Sequence, residues 1–150
     1  MSTSQLAMLT DLARGARDEA GKLLAKERQT EQQTTAQLQS LVTYRAEYAE
    51  RLQTAMREGI DPATMYNYQQ FLASLDAALS RARQALAAQQ ASVQQSQKNW
   101  QQEQRKLSSY DTLASRRLLE EHRRSERHEQ KTNDDLVTSR LARHHNDAPQ

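Results

Sequence analysis

The fold turns on "REGIDPAT", Arg57 to Thr64, which holds Gly59 and Pro62 within four residues. Glycine suits the left-handed residue just past a helix end. Asp61 is placed to cap a following helix, and Pro62 falls in its first turn, where a missing N–H costs nothing. The stretch therefore reads as a tight helix–turn–helix junction. The expected elements are a helix over about 4–57, a turn over 58–62 and a helix over about 62–143. The last residues, "HHNDAPQ" (144–150), should fray, with Pro149 ending any helix.

Either side of the junction the chain is polar and helix-forming. Of its 150 residues 36% are hydrophobic, with three Gly and two Pro, and the mean hydropathy is −1.00. That is too polar for an ordinary compact core, and too poor in Gly and Pro for typical disorder. A long helical assembly that buries only a seam satisfies both facts. Net charge is +2, with both signs interleaved as on a solvated helix surface. There is no Cys, which excludes a disulfide framework or thiolate metal site. No apolar run approaches the length of a membrane span, and the first twenty residues do not read as a secretory signal. A cytoplasmic protein is the simplest expectation.

The second helix carries a seven-residue period. Leu72, Leu79, Leu86, Val93, Trp100, Leu107 and Ala114 form one row; Leu75, Ala82, Gln89, Ser96, Glu103 and Tyr110 form the other, polar in its middle. The first helix is looser, with Leu24, Leu38 and Leu52 on one row and Leu41, Tyr48 and Ala55 on the next. Heptads of this kind make a left-handed coiled coil, and the short turn makes it antiparallel. The expected fold is all-α: two long helices in an antiparallel coiled-coil hairpin, a single domain, with a helical or disordered C-terminal extension. Partners across the seam should have numbers summing to about 120, so helix 1 is used up near Ser115. At about 1.5 Å per residue the paired part is roughly 80 Å long. Gly15 and Gly21 each cost helix 1 about 1 kcal/mol against Ala, making its first twenty residues the weaker part.

Such a hairpin encloses no pocket, which disfavours catalysis on a small-molecule substrate. The four His (His122, His128, His144 and His145) lack the i,i+4 spacing of a helical metal pair. Between Arg116 and Arg143 eight Arg or Lys are offset by six Asp or Glu, and no aromatic side chain is present to stack on a base. That combination argues against nucleic acid and fits a solvated, ion-paired helix. Nine Gln between Gln84 and Gln104 surround Trp100, which reads as a seam residue in a loosely specified stretch.

The aromatic residues are concentrated beside the turn, in "MYNYQQFLASLD" (65–76). From Phe71, helical steps give Leu75, Ala78 and Ala82; from Gln37 the same steps give Leu41, Tyr44 and Tyr48. Antiparallel pairing sets Tyr48 near Phe71 and Leu75, Tyr44 near Ala78, and Leu41 near Ala82. These stripes either widen the core or form an apolar groove that a partner covers. Tyr66 and Tyr68 read as braces for the turn.

"GIDPATMYNYQQFL" (59–72), with "NYQQF" as its most specific part, and the preceding "LVTYRAEYAERL" (41–52) resemble the FliJ family of the flagellar type III export apparatus. The resemblance covers nearly the whole chain. It implies a non-enzymatic protein without cofactors, similar in fold to the stalk of rotary ATPases. Such a protein would insert its terminal portion into the hexameric flagellar export ATPase and promote that enzyme's assembly and activity. It would also bind the cytoplasmic linker of the export-gate membrane protein and escort export chaperones for late substrates. The family's gate-binding positions fall here on Gln37, Leu41, Tyr44, Tyr48, Phe71, Leu75 and Ala78. Ala82 takes an eighth position, where the family can carry a histidine. The equivalent stalk of a virulence secretion system and a generic coiled-coil scaffold are the alternatives.

Overall fold

The computed structural model describes residues 2–146. Two helices account for nearly all of them: α1, Thr3–Glu58, and α2, Pro62–Asn146. They pack against one another as an antiparallel coiled-coil hairpin. Helix α2 runs a few residues past the expected end. Of the tail expected to fray, residues 144–146 are helical, and 147–150, with Pro149, lie outside the described residues.

The junction is built as its sequence requires. Gly59 has φ of 91°, in the left-handed region, and beyond its chain neighbours nothing lies within 4 Å of where its Cβ would be. It is there for its backbone, not for room. Asp61 begins α2: its carbonyl accepts from the Met65 N–H at 3.1 Å, and its carboxylate accepts from the Thr64 hydroxyl. That hydrogen bond, aided by nearby backbone N–H groups, holds the Asp61 carboxyl below the usual carboxylate range. At the other end of α1 the Gln5 N–H donates to Ser2 Oγ at 3.2 Å, while the Ser2 N–H donates back to Gln5 Oε1 at 3.0 Å. This is a capping box. Its S-x-x-Q signature moves the helix start ahead of the expected Ser4.

The chain divides into two compact units, one of residues 15–104 and one combining 1–14 with 105–150. Within the first unit, cross-helix neighbours follow the expected register: Arg45 with Asp76 and Gly21 with Trp100 both sum to 121, and Tyr48 with Phe71 to 119. Both α2 rows turn inward, every member being buried or half-buried. Helix α1 also has two complete rows. One runs Ala20, Glu27, Thr34, Leu41, Tyr48 and Ala55; the other runs Arg17, Leu24, Glu31, Leu38, Arg45 and Leu52; none of these residues is exposed. The apparent looseness of α1 thus comes from polar residues occupying seam positions. Gln89 shows how they are accommodated, its amide donating to the Glu27 carbonyl at 3.0 Å and to the Glu27 carboxylate. Glu103 is not accommodated: its Oε2 is buried without a partner.

Gly21, an apparent weakness of α1, has a packing role. A Cβ there would lie 3.3 Å from Trp100 Nε1 and 3.4 Å from Cδ1, so the missing side chain makes room for the indole. No such neighbour explains Gly15.

In the second unit Leu6, Ala13 and Leu107 are buried. A shallow apolar groove between the helices is lined by Leu6, Ala7, Ala114 and Leu118 among others. Beyond Arg117, every described residue of α2 is exposed, which matches the predicted exhaustion of α1 at that point. The extension is helical. Among the described residues no helix is long and apolar enough to cross a membrane.

Candidate partner-binding patch

The residues of the two predicted stripes meet beside the turn, within the unit of residues 15–104. The rings of Tyr48 and Phe71 lie 4.3 Å apart at 44°, and this contact joins the two helices. Tyr44 stands edge-on to Phe71 at 6.0 Å and tilted to Tyr48 at 6.1 Å. Spacings and angles of this kind are the favourable offset and edge-to-face arrangements.

The eight candidate residues separate into two groups. Leu41, Tyr48, Leu75 and Ala82 belong to the heptad rows. Leu75 is only 7% exposed, so its main contribution is to folding. Gln37, Tyr44, Phe71 and Ala78 each stand one position before a seam residue and flank the seam. Gln37 is exposed, Tyr44 is 43% exposed, and Phe71 and Ala78 are half-buried. The rings offered to solvent are therefore Tyr44 and part of Phe71, set on a floor of Tyr48 and Leu75. One half of the stripe is thus part of the core, and the other half flanks it with partly exposed side chains.

Tyr68, expected only to brace the turn, also joins this aromatic cluster. Its ring lies 5.2 Å from that of Tyr48. It precedes Leu75 by seven residues, so continuing that row one step back would have found it. Tyr66, 60% exposed, makes no aromatic contact and stands apart. Beyond Tyr68 a groove opens against the last turns of α1, lined by Glu47, Glu50, Arg51 and Glu58.

One ion pair bridges the helices nearby. Arg45 Nε donates to Asp76 Oδ1 at 2.7 Å and its Nη2 to Oδ2 at 3.4 Å. Arg45 holds the Asp76 carboxyl below its usual range by hydrogen bond and charge, with Arg83 adding charge, and the Arg45 pKa is raised in return. The pair is open to water, so its contribution is to register more than to stability.

The rings make a firm aromatic surface fixed by two helices, and a surface of this kind can pack an apolar side chain. His122 Nε2 is 3.0 Å from Glu126 Oε1, an exposed i,i+4 pair. Among the described residues no cluster of three or more His, Cys, Asp or Glu could hold a metal.

Similarity to known proteins covers most of the chain. The family described as "Flagellar FliJ protein" matches residues 1–146. A flagellar FliJ protein of Salmonella typhi is 35% identical over 122 residues, which are 79% of this chain and 83% of that protein. The flagellar FliJ protein of Escherichia coli K12 is 34% identical with the same coverage. Among solved structures, CT670 of Chlamydia trachomatis, described as a candidate YscO homolog, is similar with a TM-score of 0.68 over 97% of this chain and 94% of that one. At 14% identity that likeness concerns the fold.

Proposed function

The chain belongs to the flagellar FliJ family, and on that basis we propose that it is a non-enzymatic, stalk-like component of the flagellar type III export apparatus, working in the cytoplasm at the inner face of the membrane. In this reading its terminal part enters the ring of the export ATPase and promotes the ring's assembly and activity. Its turn-side patch binds the cytoplasmic linker of the export-gate membrane protein, and it escorts export chaperones. The protein would thereby connect an ATP-hydrolysing ring to a membrane gate while carrying out no chemistry itself.

The observation that carries the reading is the Tyr44–Tyr48–Phe71 cluster. A two-helix coiled coil can bury its seam without exposing a tyrosine and part of a phenylalanine side by side. An exposed aromatic pair on a rigid base is a common mark of a protein-binding site. Gln37, Leu41, Leu75, Ala78 and Ala82 complete the proposed gate-binding surface: Gln37 and Ala78 at its rim, the other three beneath it. The mixed charge of the C-terminal extension suits steering into a ring more than tight binding.

The test uses the purified export ATPase. Adding the full chain should raise ATP hydrolysis, and a chain ending at Ser115 should lose that stimulation while still binding the gate. Stimulation equal to that of the full chain would place the ATPase contact elsewhere. Absence of both stimulation and gate binding would refute the reading as a whole.

A further inference from the structure

The aromatic patch and the groove beside it form one surface, because Tyr68 belongs to both: its ring packs on Tyr48 and also lines the groove. The groove contributes three carboxylates, Glu47, Glu50 and Glu58, against one guanidinium, Arg51. Each of these four side chains is exposed. Among the described residues none of them is engaged in an ion pair. Of the nearby basic groups along α1, Arg45 is held by Asp76, and Arg57, next to Glu58, does not line the groove. Within its own lining the groove therefore keeps more carboxylates than basic groups.

We infer that the segment bound at the patch is amphipathic and basic at one end, its apolar side chains seated on Tyr44 and Phe71 and its Lys or Arg side chains in the groove of Glu47, Glu50 and Glu58 across Tyr68. The inference rests on the reading of the patch as a partner site and adds the chemistry and polarity of what binds there. Three like charges on one side of an apolar anchor favour one direction of the bound chain, since the reverse leaves acid unpaired and basic groups over aromatic rings alone. Such rim charges act mainly on association rate and salt dependence, while the aromatic anchors set the lifetime of the complex.

A second copy of this chain fits less well. Its Arg116–Arg117–Leu118–Leu119 stretch, exposed except for the half-buried Arg117, is basic and apolar, but Glu120 and Glu121 follow at once and would bring acid against the acidic groove.

The test titrates the purified cytoplasmic part of the export-gate protein, linker included, into the full chain at about 50 mM and about 300 mM salt, which changes the screening length roughly twofold. The triple variant Glu47→Gln, Glu50→Gln, Glu58→Gln keeps good helix formers at exposed positions and leaves helicity unchanged. It should bind roughly tenfold more weakly at the lower salt and lose most of the salt dependence. Tyr44→Ala with Phe71→Ala should weaken binding at both salts and leave the remaining salt dependence in place. If the glutamine variant keeps the parent affinity and salt response while the aromatic variant fails to bind, the inference is overturned and the patch reading stands. If the aromatic variant binds as the parent does, both fall. If the chain dimerises and the glutamine variant abolishes the dimer, the occupant is a second copy and the inference is again overturned.

Discussion

Three glycines in this chain face three different constraints, and they predict three different responses to alanine. Gly59 has open space around it and a φ of 91°, so Gly59→Ala loses stability through backbone strain alone, by about 1 kcal/mol. Gly15 is helical with nothing within 4 Å, so Gly15→Ala gains up to about 1 kcal/mol from helix propensity. At Gly21 the same gain is opposed by the Trp100 indole at 3.3 Å. Gly21→Ala should leave stability nearly unchanged while shifting the emission of the lone tryptophan. Thermal melts followed by circular dichroism should rank Gly15→Ala above the parent and Gly59→Ala below it; any other order contradicts these roles. Composition reveals all three glycines, but only Gly59 announces its role, through the Asp-Pro that follows it. The role of Gly21 depends on a residue 79 positions away that only the register brings near.

Two carboxylates also respond in a defined direction. Asp61 and Asp76 are both held below the usual carboxylate range in the folded chain, by Thr64 and Arg45 respectively. A depressed folded pKa contributes stability above the unfolded value and loses it as the pH falls through the folded one. The melting temperature should therefore begin to fall as the pH drops through about 4. Asp76→Asn should flatten part of that decline. An unchanged profile in Asp76→Asn would show that the Arg45 pair adds nothing to folding.

At the scale of the elements, α2 was legible and α1 only half so, for one physical reason. A heptad row can be read when its members are apolar. In α2 the row from Leu72 to Ala114 is continuous; in α1 the corresponding rows pass through Arg17, Glu27, Glu31, Thr34 and Arg45, which resemble surface residues in sequence. Long polar side chains can line a half-open seam by burying their stems and keeping their heads in water. The sparse core is consistent with this: among the described residues seven apolar side chains are buried, and no large side chain is completely so. Glu103 is the exception that makes a prediction. Its unpartnered carboxylate oxygen lies on the seam, so Glu103→Leu removes an unfavourable burial and adds apolar contact. It should stabilise the chain by about 1 kcal/mol, seen as a rise of a few degrees in melting temperature. A fall would show that the carboxylate has a partner in solution. Polar seam residues of this kind also help to fix register.

At the scale of the whole molecule, the two parts of the candidate site differed in how far the sequence disclosed them. The antiparallel register followed from the turn, and it placed Tyr48 against Phe71 correctly. What periodicity could not show is which members of the stripe are covered. Leu75 and Ala78 are three residues apart on the same face of α2, yet one is buried and the other only half-buried. Nor could it show that Tyr68 continues the patch toward an acidic groove, because the Glu residues there look like any other charges on a helix surface. The chain's net charge of +2 conceals this local excess of acid. On this account the seam and the proposed docking surface share Leu41, Tyr48, Leu75 and Ala82 but part at Gln37, Tyr44, Phe71 and Ala78, so function can be lost without loss of fold.

Calorimetric titration of the export gate's cytoplasmic part into the Tyr44→Ala, Phe71→Ala chain tests that separation most directly. The account predicts a loss of binding of about a hundredfold or more, as expected for paired aromatic anchors, with the helical circular dichroism of the parent retained. Parent-like affinity in a fully helical variant would contradict it.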